Sequence, residues 1–90
     1  MKESLIESYL IAQVKARGGF TRKVTYQGRT GAPDRWCFFP DGKLLITELK
    51  PPGETPRPDQ VVEIEKLRSM GQKVYVIDSK EGVDLLMEMV

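Results

Sequence analysis

The segment from Asp34 to Lys50, DRWCFFPDGKLLITELK, decides the fold. Two apolar runs, Arg35–Pro40 and Lys43–Lys50, flank Pro40-Asp41-Gly42, a turn in which glycine supplies the positive φ that a tight β-hairpin needs. The second run ends unusually. Residues i and i+2 of a strand share a face, so Glu48 and Lys50 stand side by side just where Pro51-Pro52-Gly53 breaks the strand. A three-residue loop closed by Phe39 and Lys43 sets Asp34 directly opposite Glu48, whereas a two-residue Asp41-Gly42 loop moves that partner to Leu49. In the first register the carboxylates are cross-strand neighbours with Cβ atoms roughly 4.5–5.5 Å apart. Like charges at that separation destabilise the hairpin unless a cation or basic group lies between them.

Outward from the hairpin, the chain reads as alternating helices and strands. Lys2 to Arg17 carries Leu5, Ile6, Tyr9, Leu10, Ala12, Val14 and Ala16 in a helix-like pattern closed by Gly18-Gly19. FTRKVTYQ (20–27) alternates and is rich in β-formers, so a strand is expected, and GRTGAPD (28–34) has loop chemistry. PPGETPRP (51–58) holds four prolines in eight residues and reads as an extended loop. The following segment, 59–71, takes Asp59 as its N-cap, places Val61, Ile64 and Leu67 at helical spacing and stops at Gly71. KVYVID (73–78) is an apolar strand, and SKEGVDLLMEMV (79–90) opens on a Ser79 cap as a short last helix. No repeat or linker interrupts the chain, so residues 1–90 are expected to form one α/β domain.

Composition narrows the chemistry. The chain is 40% apolar and 30% charged, an ordinary globular balance. No apolar run approaches the roughly 18 residues of a membrane span, and acids interrupt the N-terminal segment, so a cytoplasmic protein without membrane contact is expected. The lone Cys37 lies in an apolar run and is expected to be a buried, reduced thiol. With no histidine, Ser-His-Asp and Cys-His catalysis and His-ligated zinc are excluded. Any reaction must run on carboxylates and lysine, with or without a metal. Charge is uneven: residues 15–35 hold six basic side chains against Asp34 alone, for +5, while the remainder totals −4. Such a block suits phosphate binding or a solvated face.

A Mg²⁺ or Mn²⁺ ion would resolve the Asp34–Glu48 repulsion, because such a hard cation takes one or two carboxylates and keeps sites for water and phosphate. Lys50 beside it can orient an attacking water and balance charge developing on phosphorus. The plainer alternative makes Asp34 a turn cap and Glu48–Lys50 a surface pair worth roughly 0–1 kcal/mol. GAPD at 31–34 before one strand, ITELK at 46–50 ending the next, and then a proline-rich loop and a helix beginning Asp59-Gln60 resemble the ordered pattern of the PD-(D/E)xK nucleases. More narrowly, nearly the whole chain resembles the VRR-Nuc (virus-type replication-repair nuclease) family, through Gly18-Gly19 after the first helix, GAPDR at 31–35, ELKPPG at 48–53, Gln60 with Leu67 and Gly71 behind it, and VYVIDSKEGV at 74–83.

That resemblance implies a restriction-endonuclease-like αβββαβ core, a mixed sheet flanked by helices. It implies a metal held by Asp34, Glu48 and the Leu49 backbone carbonyl, with Lys50 serving the attacking water. It also implies a first-helix glutamate: Glu3 matches best, and Glu7, one turn further on the same face, is the substitute. Gln60 matches the family glutamine and could hold Lys50, a water or a phosphate. Lys23, Arg29 and Arg35 are candidate nucleic-acid contacts, while Trp36, Phe38 and Phe39 are expected in the core. A nuclease core of this size leaves little room for base-specific reading. The resemblance therefore suggests a bacterial or phage-encoded homodimer acting on branched DNA, with Holliday-junction resolution in view. Its dimer surface is expected at the proline-rich loop or the last helix. The alternative is a catalytically inactive DNA-binding or protein-interaction module with the same fold.

Overall fold

The computed structural model describes residues 2–90. In chain order it contains α1 (Glu3–Ala16), β1 (Phe20–Lys23), β2 (Arg35–Phe38), β3 (Leu44–Leu49), α2 (Pro58–Ser69), β4 (Val74–Ile77) and α3 (Lys80–Met87). The sheet order is β1-β2-β3-β4, with the first two pairings antiparallel and β3 parallel to β4. This is the mixed α/β architecture expected, with α2 forming the crossover that a parallel pair requires.

The hairpin turn fixes its register as the three-residue loop predicts. Phe39 N–H donates to Lys43 O, Gly42 N–H to Phe39 O, and Asp41 Oδ1 accepts from Lys43 N–H, each at 3.0 Å. Gly42 takes φ +87°. Arg35 then faces Thr47 and Trp36 faces Ile46, so the next step of the ladder brings Asp34 to Glu48. No helix of the described residues is long and apolar enough to cross a membrane.

Period-two alternation divides the core between the two faces of the sheet. On one face Cys37, Leu45, Leu49 and Ile77 pack with Ile6, Leu10 and Val14 of α1 and Val83, Leu86 and Met87 of α3. On the other, Ile46 and Val74 pack with Ile64 of α2 beneath the half-buried Trp36, Leu44 and Leu67. Ile6, Leu10 and Val14 recur every fourth residue and are wholly buried, each burial being worth about 1.5–3 kcal/mol. Glu48 shares Ile46's face, and thus lies under α2. Cys37 is fully buried, and desolvation pushes its thiol up to about 11.

Three expectations shift in detail. The first strand ends at Lys23 rather than Gln27: Val24 N–H turns to Asp34 O, and the chain leaves the sheet as a loop. Helix α2 starts at Pro58 with Arg57, not Asp59, at the N-cap; proline's fixed φ and missing N–H suit the first helical position. Phe39 is buried, but Trp36 and Phe38 are only half-buried, Phe38 meeting Phe20 edge-on at 5.2 Å.

The 24–34 loop is seated against the start of α2. A Cβ on Gly31, which has φ +96°, would lie 2.7 Å from Asp59 O, whereas one on Gly28, at φ +78°, would meet nothing within 4 Å. Gly28→Ala should therefore cost only the left-handed penalty of about 1–2 kcal/mol. Gly31→Ala should cost clearly more, because helix backbone must also move. Urea unfolding of the two variants beside the parent measures the difference.

Candidate active site

The site lies where β3 ends. Asp34, Glu48, Leu49, Lys50 and Gln60, with Glu3 from α1, line an open cleft of about 360 Å³. Pro51, Glu54 and Arg57 from the proline-rich segment complete its rim. The register sets Asp34 against Glu48, and a hydrogen bond from Leu49 N–H to Asp34 Oδ1 at 3.2 Å fastens the two strands there.

Glu48 is the most constrained group. Its side chain is 4% exposed, and Nζ of Lys50, whose side chain is 12% exposed, stands 3.4 Å from Oε2. Gln60 Nε2 donates to the same oxygen at 2.8 Å. The other end of the Gln60 amide accepts from Arg57 N–H at 2.9 Å, the reach-back from the third helical position to the N-cap that glutamine is suited to make. Gln60 thus holds Glu48, a partner the sequence did not suggest. Two buried side-chain polar atoms among the described residues lack a hydrogen-bond partner, and Glu48 Oε1 is one of them.

Electrostatics follow from this crowding. Burial, then the charge of Asp34, pushes the Glu48 carboxyl above its ordinary range, with Lys50 opposing. Asp34 is also raised, chiefly by burial and then by Glu3 and Glu7, while the Leu49 N–H and Lys23 pull it back. The structure therefore holds a pair of carboxylates whose ionised forms are short of compensating charge.

The two helix glutamates separate. Glu3 lines the cleft. Glu7 is taken by Arg35, Nη2 to Oε2 at 2.9 Å, on the α1 face of the sheet. Arg35 also donates to Thr21 Oγ1 at 3.2 Å, and its side chain is only 14% exposed. Arg35 is accordingly a tie between β2, β1 and α1 rather than an open contact for nucleic acid. Lys23 is exposed, and Arg29 keeps 56% of its side chain in solvent while pairing with Glu63 at 3.3 Å. Among the described residues no three Asp, Glu, Cys or His groups are arranged to hold a metal; Glu3 borders the carboxylate pair without joining it in such a cluster.

Sequence reasoning passed over Arg57 and Glu63. Arg57 sits between prolines three positions before Gln60, a spacing that puts it at the same helix end. Glu63 lies one turn beyond Gln60 on the same face, and its burial is the product of a loop folding back over α2, which local pattern does not reveal.

An α/β core with an acid facing an E-x-K strand end is the arrangement that the resemblance to the PD-(D/E)xK nucleases implies. No family model matches the chain. It is 40% identical over 86 residues to the protein named "Putative nuclease p44" of Acyrthosiphon pisum secondary endosymbiont phage 1, spanning 96% of this chain and 92% of that protein. A solved structure described as a VRR_NUC domain is similar with a TM-score of 0.90 and 37% identity, covering 96% of this chain and 94% of that one. The chain belongs to the VRR-Nuc family.

The raised Asp34 carboxyl has a stability consequence whose sign is fixed. Where the native state binds more protons than the unfolded chain, stability falls as pH rises. For Asp34 that window opens near the unfolded value of 3.8 and closes above the raised native one. Asp34→Asn keeps an acceptor for Leu49 N–H and removes the charge. In metal-free buffer it should melt higher than the parent at pH 7, by roughly 4–8 °C for each kcal/mol of relieved cost, and the gap should vanish below about pH 3. Thermal melts across pH, with chelator present, test this.

Proposed function

We propose that the chain is a Mg²⁺- or Mn²⁺-dependent deoxyribonuclease that hydrolyses phosphodiester bonds, selective for branched DNA and acting as a homodimer, with four-way junctions among its substrates. The observation that carries the reading is the buried Glu48, facing Asp34 across the hairpin with one oxygen unpartnered and Lys50 alongside.

The donor set fits a hard divalent ion. Asp34, Glu48 and the Leu49 carbonyl would hold it, a ligand set of two carboxylates and a carbonyl that leaves places for water and phosphate oxygen. When bound, the ion supplies Lewis-acid polarisation of the phosphate and makes a water more acidic near neutral pH. The remaining work falls to the chain's own groups. Gln60 anchors Glu48 through Oε2 and leaves Oε1 as a ligand atom. Lys50, fixed beside Glu48, orients the attacking water and sets positive charge where the phosphate gains negative charge in the transition state. Glu3, on the cleft wall, adds negative potential that favours the cation. Lys23 and Arg29, outside the cleft, contact the DNA backbone and give affinity without base selectivity.

The test is cleavage of branched, duplex and single-stranded DNA with Mg²⁺ or Mn²⁺, wild type beside Lys50→Ala. Wild type should cut, and Lys50→Ala should lose at least about a hundredfold in rate, a typical contribution of a positioned proton-transfer group, while retaining the fold and DNA binding. All DNAs left intact by the wild type with Mn²⁺ would overturn the reading. Binding without cleavage in both proteins would mark an inactive module instead.

A further inference from the structure

The cleft does not end at Asp34. A second groove of about 280 Å³ runs beside it between the 23–32 segment and the start of α2. Ala32, Asp34 and Arg57 line both, so the groove adjoins the cleft. Its cations are Lys23, Arg29 and Arg57, and Thr25 and Thr30 also line it.

Beneath this groove lies a charged group that the proposed chemistry does not use. Glu63 is 7% exposed. It accepts from the Tyr26 hydroxyl at 2.6 Å through Oε2 and from Arg29 Nη2 at 3.3 Å through Oε1. Desolvation and that bond push the Tyr26 hydroxyl up to about 12, so it remains a donor throughout the neutral range. The carboxylate fixes one edge of Arg29 and stacks the guanidinium near the Tyr26 ring, 5.8 Å from its centre. Guanidinium carries five N–H donors, so an arginine anchored by one of them keeps the others for a ligand. Arg57 is held the same way, Nε to Asp59 Oδ1 at 3.2 Å, with 61% of its side chain exposed. Arginines held in place before a ligand arrives give up less freedom on binding, and their planar fork matches phosphate oxygens.

We propose that this groove is the track for the DNA strand running from the scissile phosphate, with Arg57, Arg29 and Lys23 contacting backbone phosphates and Glu63 positioning Arg29. The inference rests on the nuclease reading above and adds the substrate path to it. Arg57 is the pivotal residue, since it borders both the cleft and the track.

The experiment is a salt titration of binding by fluorescence anisotropy, with labelled single-stranded and four-way-junction oligonucleotides and the Lys50→Ala protein to prevent turnover. Adding Arg57→Gln or Arg29→Gln should each weaken binding several-fold and flatten the plot of log K against log salt by about 0.7–0.9. Arg29→Lys, which keeps the charge, should restore the slope, and Lys66→Gln on the exposed face of α2 should leave it unchanged. With Lys50 intact, Arg57→Gln and Arg29→Gln should raise KM with little loss of kcat. Circular dichroism confirms that each variant folds. If the wild type cleaves DNA but neither arginine substitution alters slope or KM, the track is overturned and the nuclease reading stands. If the wild type neither binds nor cleaves any of these DNAs, both fall.

Discussion

Everything at the open end of the sheet depends on one buried carboxylate. Glu48 has almost no access to water, faces a second carboxylate across the hairpin, and is held by an amide and an ammonium through the same oxygen. A charge so placed costs free energy unless it is paired, and the pairing here is incomplete, since Oε1 has no partner. The fold accepts that cost where it could have placed valine or isoleucine, as it does two residues earlier on the same face at Ile46. Strain of this kind persists when the surrounding structure over-determines it. The turn at Pro40–Gly42 sets the register, α2 brings Gln60, and the two-residue repeat of β3 brings Lys50.

The sheet separates the charged side chains by face, and this decides which acids remain available. Arg35 points to the α1 side and engages Glu7, so Glu7 is not at the cleft. Glu3, one turn earlier, lies beyond the reach of that pairing and lines the cleft. On the α2 side, Glu63 engages Tyr26 and Arg29 and fastens the 24–34 loop. The same loop delivers Asp34. Hence the position of Asp34 is set from two directions, by the hairpin ladder through Leu49 N–H and by the loop's seat on α2 at Gly31.

Much of this is legible in the amino-acid sequence. Turn chemistry narrows the hairpin to two registers, one of which aligns Asp34 with Glu48, and the proline pair after Lys50 marks the strand's end; the choice between the registers is made by the hydrogen bonds that Phe39 exchanges with Lys43 and Gly42. Helix α3 and its Ser79 cap, which accepts from Gly82 N–H at 2.9 Å, follow from local signals too. What stays hidden depends on contacts between distant segments. Arg35 reads as one more member of a basic block, and only the packing of α1 on β2 shows it to be a structural tie. FTRKVTYQ has strand composition throughout, but after Lys23 no neighbouring strand remains to pair with, and tertiary contacts to Glu63 override propensity. Asp59 carries a cap residue's chemistry, yet Pro58 can itself begin the helix, and the cap falls one residue before it.

The break at Pro51 decides where the site must be. Lys50 N–H makes the last ladder bond, to Ile77 O at 3.0 Å, and Pro51 has no N–H with which to extend it. Gly53 N–H turns back to Asp78 Oδ2 at 3.1 Å, so the chain folds away from the strand instead of covering its end. Ligands of α/β sheets gather outside the carboxyl ends of strands for this reason: the sheet stops, the connecting segments diverge, and polar groups there face open space. Here the divergence carries the proline-rich segment to Arg57 and the start of α2, whose third helical residue returns to Glu48. The cleft is thereby closed below by buried charge and left open above at the scale of a phosphate backbone.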